Sequence, residues 1–176
     1  MNNIKAYKTV YISLGIALIT VCGWISIPSS PPVTLQTLAI FVISGVYGTR
    51  CAFLCVLCHI LLGFAGLPVF SGFRNLTSVL LSPWGGYVVG FILIPPVVGA
   101  CVKKHGIRTI PLSISILIAT VLCYVCATVW LSVFAGNHTL SISALTIPFI
   151  PYDLCKGIAA VYLVRRLRPM LGNKFD

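Results

Sequence analysis

The chain has 176 residues, of which 59% are apolar and 8% are charged, and its formal net charge is +10. A soluble domain carries about 25% charged residues, so this composition excludes a soluble globular protein and indicates an integral membrane protein. The length suits one helical bundle, and residues 1–176 are predicted to form a single transmembrane domain. The positive charge does not indicate a nucleic-acid partner, because the basic residues fall at the ends of apolar segments rather than on one soluble face.

Six apolar segments follow one another along the chain, at residues 8–27, 34–49, 51–66, 85–102, 110–135 and 144–167. A helix needs roughly 20 residues to cross the hydrocarbon core, so the second and third segments are short and are expected to be tilted, broken or extended by interfacial residues. Continuous apolar runs favour helices over the alternating strands of a membrane β-barrel. The prediction is an all-α membrane protein with a bundle of six transmembrane helices.

The first segment is interpreted as a retained helix. Two lysines precede its apolar run, as in a signal peptide, but the run is too long for a typical signal peptide. No small-x-small cleavage site precedes Pro28.

The basic residues set the predicted orientation. The loops 28–33 and 136–143 contain no Lys or Arg, and the loop 67–84 contains only Arg74. By the positive-inside rule, the opposite face and both termini are cytoplasmic. The basic residues assigned to that face are Lys5, Lys8, Arg50, Lys103, Lys104, Arg108, Arg165, Arg166, Arg168 and Lys174.

The outer loop 67–84 is too apolar for an ordinary solvated loop and too broken for a membrane span. Non-helical backbone at membrane depth must be buried in protein or line a cavity, so we expect this loop to fold over the bundle as a lid above a binding cavity. The alternative is an interfacial loop anchored by Trp84 and Tyr87. Gly85 and Gly86 then begin the fourth helix and allow a close approach of its backbone to a neighbour.

Asp153 is the only acidic residue before Asp176, and it lies in an apolar stretch one helical turn before Lys156. Ionisable residues at membrane depth cost roughly 2.5–3.5 kcal/mol each on insertion scales, and they usually line a pathway or a binding cavity. The structural alternative is that Asp153, two residues after Pro151, only stabilises the first turn of the sixth helix and pairs with Lys156. The pair is the first candidate for a ligand site.

The cysteines carry little functional signal. All eight lie in or next to apolar segments, which argues against a disulfide framework. Cys55, Cys58 and His59 match the spelling of a haem-attachment motif. The motif lies inside an apolar span, however, and a free Cys behaves as a small buried apolar residue. We therefore expect neither a metal nor a cofactor.

Four segments, in the right order, resemble the BioY family, the biotin-specific S components of energy-coupling factor (ECF) transporters. They are Thr34-Leu35-Gln36 within 32–38, the Gly-Phe-Ala-Gly-Leu-Pro stretch of 62–70, the Pro-Trp-Gly-Gly-Tyr stretch of 82–91, and Pro-Phe-Ile-Pro-Tyr-Asp-Leu-Cys-Lys at 148–156. The resemblance covers about residues 10–170, and six helices is the family's count.

The resemblance implies a substrate-binding domain without catalysis, in the cell inner (cytoplasmic) membrane. Such a protein captures biotin at the outer face and docks on an ECF transmembrane T component that two ABC-type ATPases drive. Delivery is thought to involve toppling of the whole S component in the membrane. The alternative is an S component, or a stand-alone carrier, for another small vitamin or carboxylate. A stand-alone carrier usually shows inverted repeats, and no clear repeat is evident here.

The resemblance also implies roles for particular residues. Asp153 would accept a hydrogen bond from a ureido N–H of biotin, and Lys156 would donate to the ureido oxygen. Asn75 would act as both donor and acceptor for the same ring, and Arg74 would meet the carboxylate. The remaining candidates are polar contacts from Gln36, Thr34 and Tyr87, and ring-covering contacts from Phe70, Phe73 and Trp84.

The family's docking surface on helix 1 is a face of small residues spaced four apart. Ser13 and Ala17 have this spacing, flanked by Gly15. Small residues let helices approach closely, so Ser13 and Ala17 are predicted to dock on the partner, although such residues also serve ordinary bundle packing. Trp84 stands where the family usually has Thr, and Arg74 and Asn75 occupy a stretch that is often richer in Gly and Ala. These departures affect the expected lid contacts more than the Asp153–Lys156 pair.

Overall fold

The structure, a computed structural model, describes residues 2–27, 33–135 and 149–171. The helices are α1 (Asn2–Trp24), α2 (Gln36–Phe64), α3 (Leu76–Leu80), α4 (Gly86–His105), α5 (Thr109–Ala135) and α6 (Ile150–Leu171). Two short strands, β1 (Ser26–Ile27) and β2 (Val33–Thr34), pair antiparallel between α1 and α2. The predominantly helical architecture predicted from the sequence is confirmed, and the small β-ribbon is an addition to it.

Four of the described helices are long and apolar enough to cross a membrane: α1 from Tyr7, α2, α4, and α5 as far as Phe134. Along α5 large apolar side chains are exposed at intervals of three or four residues. Such a stripe faces outward on a helix, where a soluble protein would place polar residues. The stripe consists of Ile110, Ile114, Leu117, Val121, Val125, Val129 and Val133. The chain is therefore a multi-pass membrane protein.

Helix α2 contains both the second and the third predicted spans. It is broken at Gly48, whose φ of 73° and ψ of 177° are not helical and favour glycine. Gln36 and His59 are 23 positions apart, which on an unbroken helix would separate them by about 35 Å. Their side chains instead lie 3.0 Å apart. The two halves of α2 are therefore antiparallel, and the chain reverses direction just before Arg50.

The hairpin of α2 is the centre of the bundle. In the apolar stretch of α2, 67% of the residues are buried inside the bundle. In that of α1 only 17% are buried, so α1 lies at the edge. Helices α4 and α5 approach closely where α4 begins, as expected for Gly85 and Gly86. A Cβ on Gly86 would stand 2.4 Å from the carbonyl oxygen of Cys126, and one on Gly85 would stand 2.6 Å from the Trp130 ring.

Contacts between distant segments define two ends of the bundle. Arg168 donates to the carbonyl of Gly45 at 2.8 Å, and Gly99 packs against Thr49. The Gly48 turn and the C-terminal ends of α4 and α6 therefore lie together. The opposite end contains the β-ribbon, the segment between α2 and α4, and Asp153.

The boundaries differ from the sequence prediction in two places among the described residues. Helix α1 ends at Trp24 instead of residue 27, because Ser26 and Ile27 pair with β2. The loop 67–84 contains the short helix α3. The predicted start of the sixth span, residues 144–148, lies outside the described residues.

Candidate functional site

Asp153 and Lys156 form an ion pair in the first two turns of α6. Lys156 Nζ donates to Asp153 Oδ1 at 2.8 Å, and the side chains are only 9% and 15% exposed for Lys156 and Asp153, respectively. Three positions along a helix place both groups on one face, as the sequence predicted. Burial makes each charge costly by itself, so the two ions stabilise one another.

Two further helices contact the pair. Lys156 Nζ donates to Thr37 Oγ1 on α2 at 3.3 Å, and the Tyr124 hydroxyl on α5 donates to Asp153 Oδ2. The pair thus holds α2, α5 and α6 together. An ammonium group has three donors and a carboxylate has about four acceptor positions. Among the described residues, one Lys156 donor and two Asp153 acceptor positions remain for a ligand.

A cavity opens beside the pair. It encloses about 670 Å³, counting its open mouth. Its walls combine aromatic and aliphatic side chains with a few polar groups, the usual composition of a small-molecule site. They include Val33, Thr34, Gln36, Thr37, Phe70, Ser71, Arg74, Val79, Trp84, Tyr87, Val88, Phe91, Phe149, Asp153 and Lys156.

Most of the residues singled out in the sequence lie around this one cavity. They are Asp153, Lys156, Arg74, Gln36, Thr34, Tyr87, Trp84 and Phe70. They come from α2, the segment between α2 and α4, the beginning of α4, and α6. The structure brings them together because the two halves of α2 are antiparallel and α6 begins at the same end of the bundle.

Asn75 and Phe73 are not brought to this cavity. Asn75 Oδ1 accepts from both the backbone N–H and the hydroxyl of Ser78, so it caps α3. Both lone pairs of that oxygen are used, which leaves only the amide N–H groups for other contacts. Phe73 is 65% exposed and packs on Trp24, with their ring centroids 5.1 Å apart.

The loop 67–84 covers one side of the cavity through a compact, internally bonded structure. Phe70 and Arg74 pair as an isolated bridge, and Arg74 Nε donates to the carbonyl of Ser71 at 3.0 Å. Two indoles attach the loop to the bundle: Trp24 donates to the carbonyl of Pro68 at 2.8 Å, and Trp130 donates to that of Ser82 at 3.2 Å. Trp24 is on α1 and Trp130 on α5, so the loop is anchored at both sides.

The structure adds contacts that the sequence analysis missed. Thr37 and Tyr124 bond the ion pair directly, and Phe91 and Phe149 contribute to the cavity wall. A weak signal for Tyr124 was present, since Thr120 lies one turn before it on the same face of a predominantly apolar helix. Thr37 directly follows Gln36, but nothing in the sequence pairs it with a lysine 119 positions away.

His59 of the haem-like motif has other partners, and the cysteines of the motif are free. The two ring nitrogens of His59 contact Thr20 and Gln36, and Cys55 is a buried free thiol. All eight cysteines are free. In the described part of the chain, no three His, Cys, Asp or Glu residues are grouped as a metal site would require.

Ser13 and Ala17 lie on the outward face of α1, where both are exposed. Gly15 faces the opposite way, and a Cβ there would stand 2.7 Å from Cys55 Sγ. The small residues of α1 therefore divide into an inner contact with α2 and an outer face that no described segment covers.

Comparison with known proteins gives a consistent result. The BioY family matches residues 1–173. The biotin transporter BioY2 of Lactococcus lactis subsp. cremoris is 34% identical over 160 residues, which cover 90% of this chain and 88% of the relative. The biotin transporter BioY of Thermotoga maritima is 35% identical over 155 residues, covering 88% and 91%.

A crystal structure of the S-component for biotin from an ECF-type ABC transporter shares the fold, with a TM-score of 0.86 and 28% identity, covering 96% of this chain and 94% of that one. The family matches nearly the whole sequence, in agreement with this structural similarity. The chain belongs to the BioY family.

Proposed function

We propose that this protein captures biotin and takes part in its uptake across the membrane, as the substrate-binding S component of an ECF-type transporter. The observation that carries the proposal is the cavity beside the buried Asp153–Lys156 pair, in a chain that belongs to the BioY family. Relatives named as biotin transporters and the solved biotin S-component support the choice of ligand.

The ureido ring of biotin would lie against the ion pair. Lys156 has one donor left for the ureido oxygen, and Asp153 has acceptor positions left for a ureido N–H. The ureido ring is neutral and can both donate and accept hydrogen bonds, so it can bond to both members of the ion pair without adding a net charge. The apolar thioether ring would contact Phe70 and Trp84 in the cavity wall.

The valerate carboxylate would contact Arg74. Its Nε is used within the loop, and the terminal nitrogens have no partner among the described residues. Arg74 lines the same cavity as Asp153, so one ligand can reach both. Thr34 and Tyr87 are further polar contacts, while Asn75 has only its amide N–H groups available and Phe73 is directed to Trp24.

We propose six membrane spans, with both termini on the cytoplasmic side of the inner membrane. The two antiparallel halves of α2 each supply one span, and α1, α4, α5 and α6 supply the others. The end of the bundle at the Gly48 turn carries Arg50, Lys103, Lys104 and Arg165, which supports its assignment to the cytoplasm. The cavity then lies at the outer end.

The proposed partners are a transmembrane T component and two ABC-type ATPases, which supply the energy for release inside the cell. The outward face of α1 with Ser13 and Ala17 is the proposed docking surface, since it is exposed and its small side chains permit close helix contact. The protein itself would act by binding and not by catalysis.

The test is ligand binding by the purified protein in detergent, with biotin, biotin methyl ester, thiamine and riboflavin. Biotin is expected to bind and to raise the melting temperature, because a ligand that binds only the folded state stabilises it. The methyl ester is expected to bind more weakly, since it lacks the charge that Arg74 would meet. Folded protein that ignores biotin but binds another vitamin would overturn the choice of ligand.

A further inference from the structure

His59 is buried behind the wall of the cavity, on the second half of α2, with only 1% of its surface exposed. Its Nδ1 lies 3.2 Å from Thr20 Oγ1 on α1, and its Nε2 lies 3.0 Å from the Gln36 side-chain nitrogen. Its ring meets Phe70 edge to face, with centroids 5.0 Å apart. Gln36 and Phe70 both line the cavity, whereas His59 and Thr20 are behind it.

The hydrogen bonds of this group determine one another. The Thr20 hydroxyl donates its only proton to the carbonyl of Ile16 at 2.9 Å, so Thr20 Oγ1 accepts from His59 Nδ1–H. A neutral imidazole with a proton on Nδ1 has an acceptor at Nε2. The group facing Nε2 must then be a donor, which is the Gln36 NH₂ group.

The Gln36 carbonyl oxygen is consequently turned away from His59. It has no hydrogen-bond partner among the described residues, in which every fully buried side-chain nitrogen or oxygen has one. The oxygen is therefore not sealed off. On the side of α1 the oxygen lies beside Gly23, where a Cβ would stand at an ordinary contact distance of 3.4 Å. Since Gln36 lines the cavity, an acceptor is left for a ligand N–H.

We propose that His59 is a positioning residue that orients the Gln36 amide, so that its oxygen accepts a hydrogen bond from the second N–H of a cyclic urea. This rests on the proposed function, in which Asp153 accepts from the first N–H. The two ligand N–H groups thus meet two acceptors, one charged and one neutral. His59 acts on ligand selectivity without touching the ligand.

The first variant is His59→Phe, which keeps the ring and its contact with Phe70 but removes the acceptor for Gln36. The amide is then free to rotate, and biotin is expected to bind about five- to tenfold more weakly, the range of one hydrogen bond. The matched control is His59→Gln, whose carbonyl oxygen can replace Nε2 and is expected to retain binding within about twofold. Thr20→Val keeps the shape of the side chain but removes the hydrogen bond that holds His59 Nδ1. It is therefore also expected to lower the affinity for biotin.

The decisive readout is a cycle with biotin and its two derivatives methylated on one ureido nitrogen or the other. His59→Phe is expected to lower the affinity for the derivative that still has the N–H facing Gln36. It is expected to leave unchanged the affinity for the derivative whose methyl group replaces that N–H. An equal loss with all three ligands would assign His59 a packing role only and overturn the inference. If His59→Phe is unfolded at the assay temperature, the same three affinities are measured for Thr20→Val.

The two proposals fail in different ways. Wild-type protein that folds but does not bind biotin overturns the proposed function and this inference with it. Wild-type protein that binds biotin, with His59→Phe binding it equally well, overturns this inference alone.

Discussion

At the scale of single residues, the Asp153–Lys156 pair determines the character of the cavity. Either ion by itself would be costly at this depth, and breaking a buried pair costs about 3–5 kcal/mol. The contacts with Thr37 and Tyr124 use part of the hydrogen-bonding capacity and leave the rest directed to the cavity. A neutral ligand that donates and accepts can then replace water without separating the charges.

The variant Asp153→Asn is expected to weaken biotin binding at least tenfold. It removes the negative charge that stabilises Lys156, and it replaces an acceptor oxygen with a donor. The measurement is a binding isotherm on detergent-purified protein whose folding is verified by thermal melting. Tyr124→Phe is the control, since it removes one hydrogen bond to Asp153 but no charge and should cost less. Unchanged affinity in Asp153→Asn would exclude Asp153 from the site.

At the scale of elements, glycines decide how closely the helices pack. Gly48 lets α2 reverse direction, and Gly86 and Gly90 let α4 lie against the backbone of α5. In a bilayer the hydrophobic effect contributes little to helix association, so helices usually pack closely through small residues at their interfaces. The cavity depends on this packing because Tyr87 and Phe91 project from the same end of α4.

The variant Gly86→Ala is expected to destabilise the protein by about 1–3 kcal/mol, the usual cost of overpacking. Its Cβ would meet the Cys126 carbonyl oxygen at 2.4 Å, and a backbone atom cannot rotate away. Thermal unfolding in detergent measures the effect. The matched control is Gly157→Ala on α6, where the nearest atom would be 3.5 Å away and no loss of stability is expected. Equal melting of Gly86→Ala and the wild type would contradict the close approach.

At the scale of the whole molecule, the cavity and the proposed docking surface lie in different parts of the bundle. The cavity lies among α2, α4, α6 and the loop 67–84, while the outward face of α1 lies at the edge. Because α1 is so little buried, its outer face can contact another membrane protein without disturbing the ligand site. Ser13 and Ala17 provide the small side chains on that face.

Bulky replacements at both positions, Ser13→Phe with Ala17→Phe, are expected to lower co-purification with the ATPase module and uptake of biotin. Biotin binding by the isolated protein should be unchanged, because neither residue lines the cavity. Val129→Phe is the control, since Val129 is 58% exposed on the apolar stripe of α5. Undiminished co-purification and uptake in the double variant would show that docking uses another surface.

The sequence by itself determined the membrane class, the helical architecture and the ionisable pair, because hydropathy and spacing along one helix are local properties. It also singled out eight residues of the cavity wall, most of them within the four short segments that carry the resemblance. The contacts of Thr37, Tyr124 and His59 were decided by the tertiary structure alone. Their partners lie 23 to 119 positions away, and the reversal of α2 at Gly48 brings Gln36 and His59 together. The placement of Asn75 and Phe73 outside the cavity was decided in the same way, since a helix cap and a contact with Trp24 depend on how the loop folds.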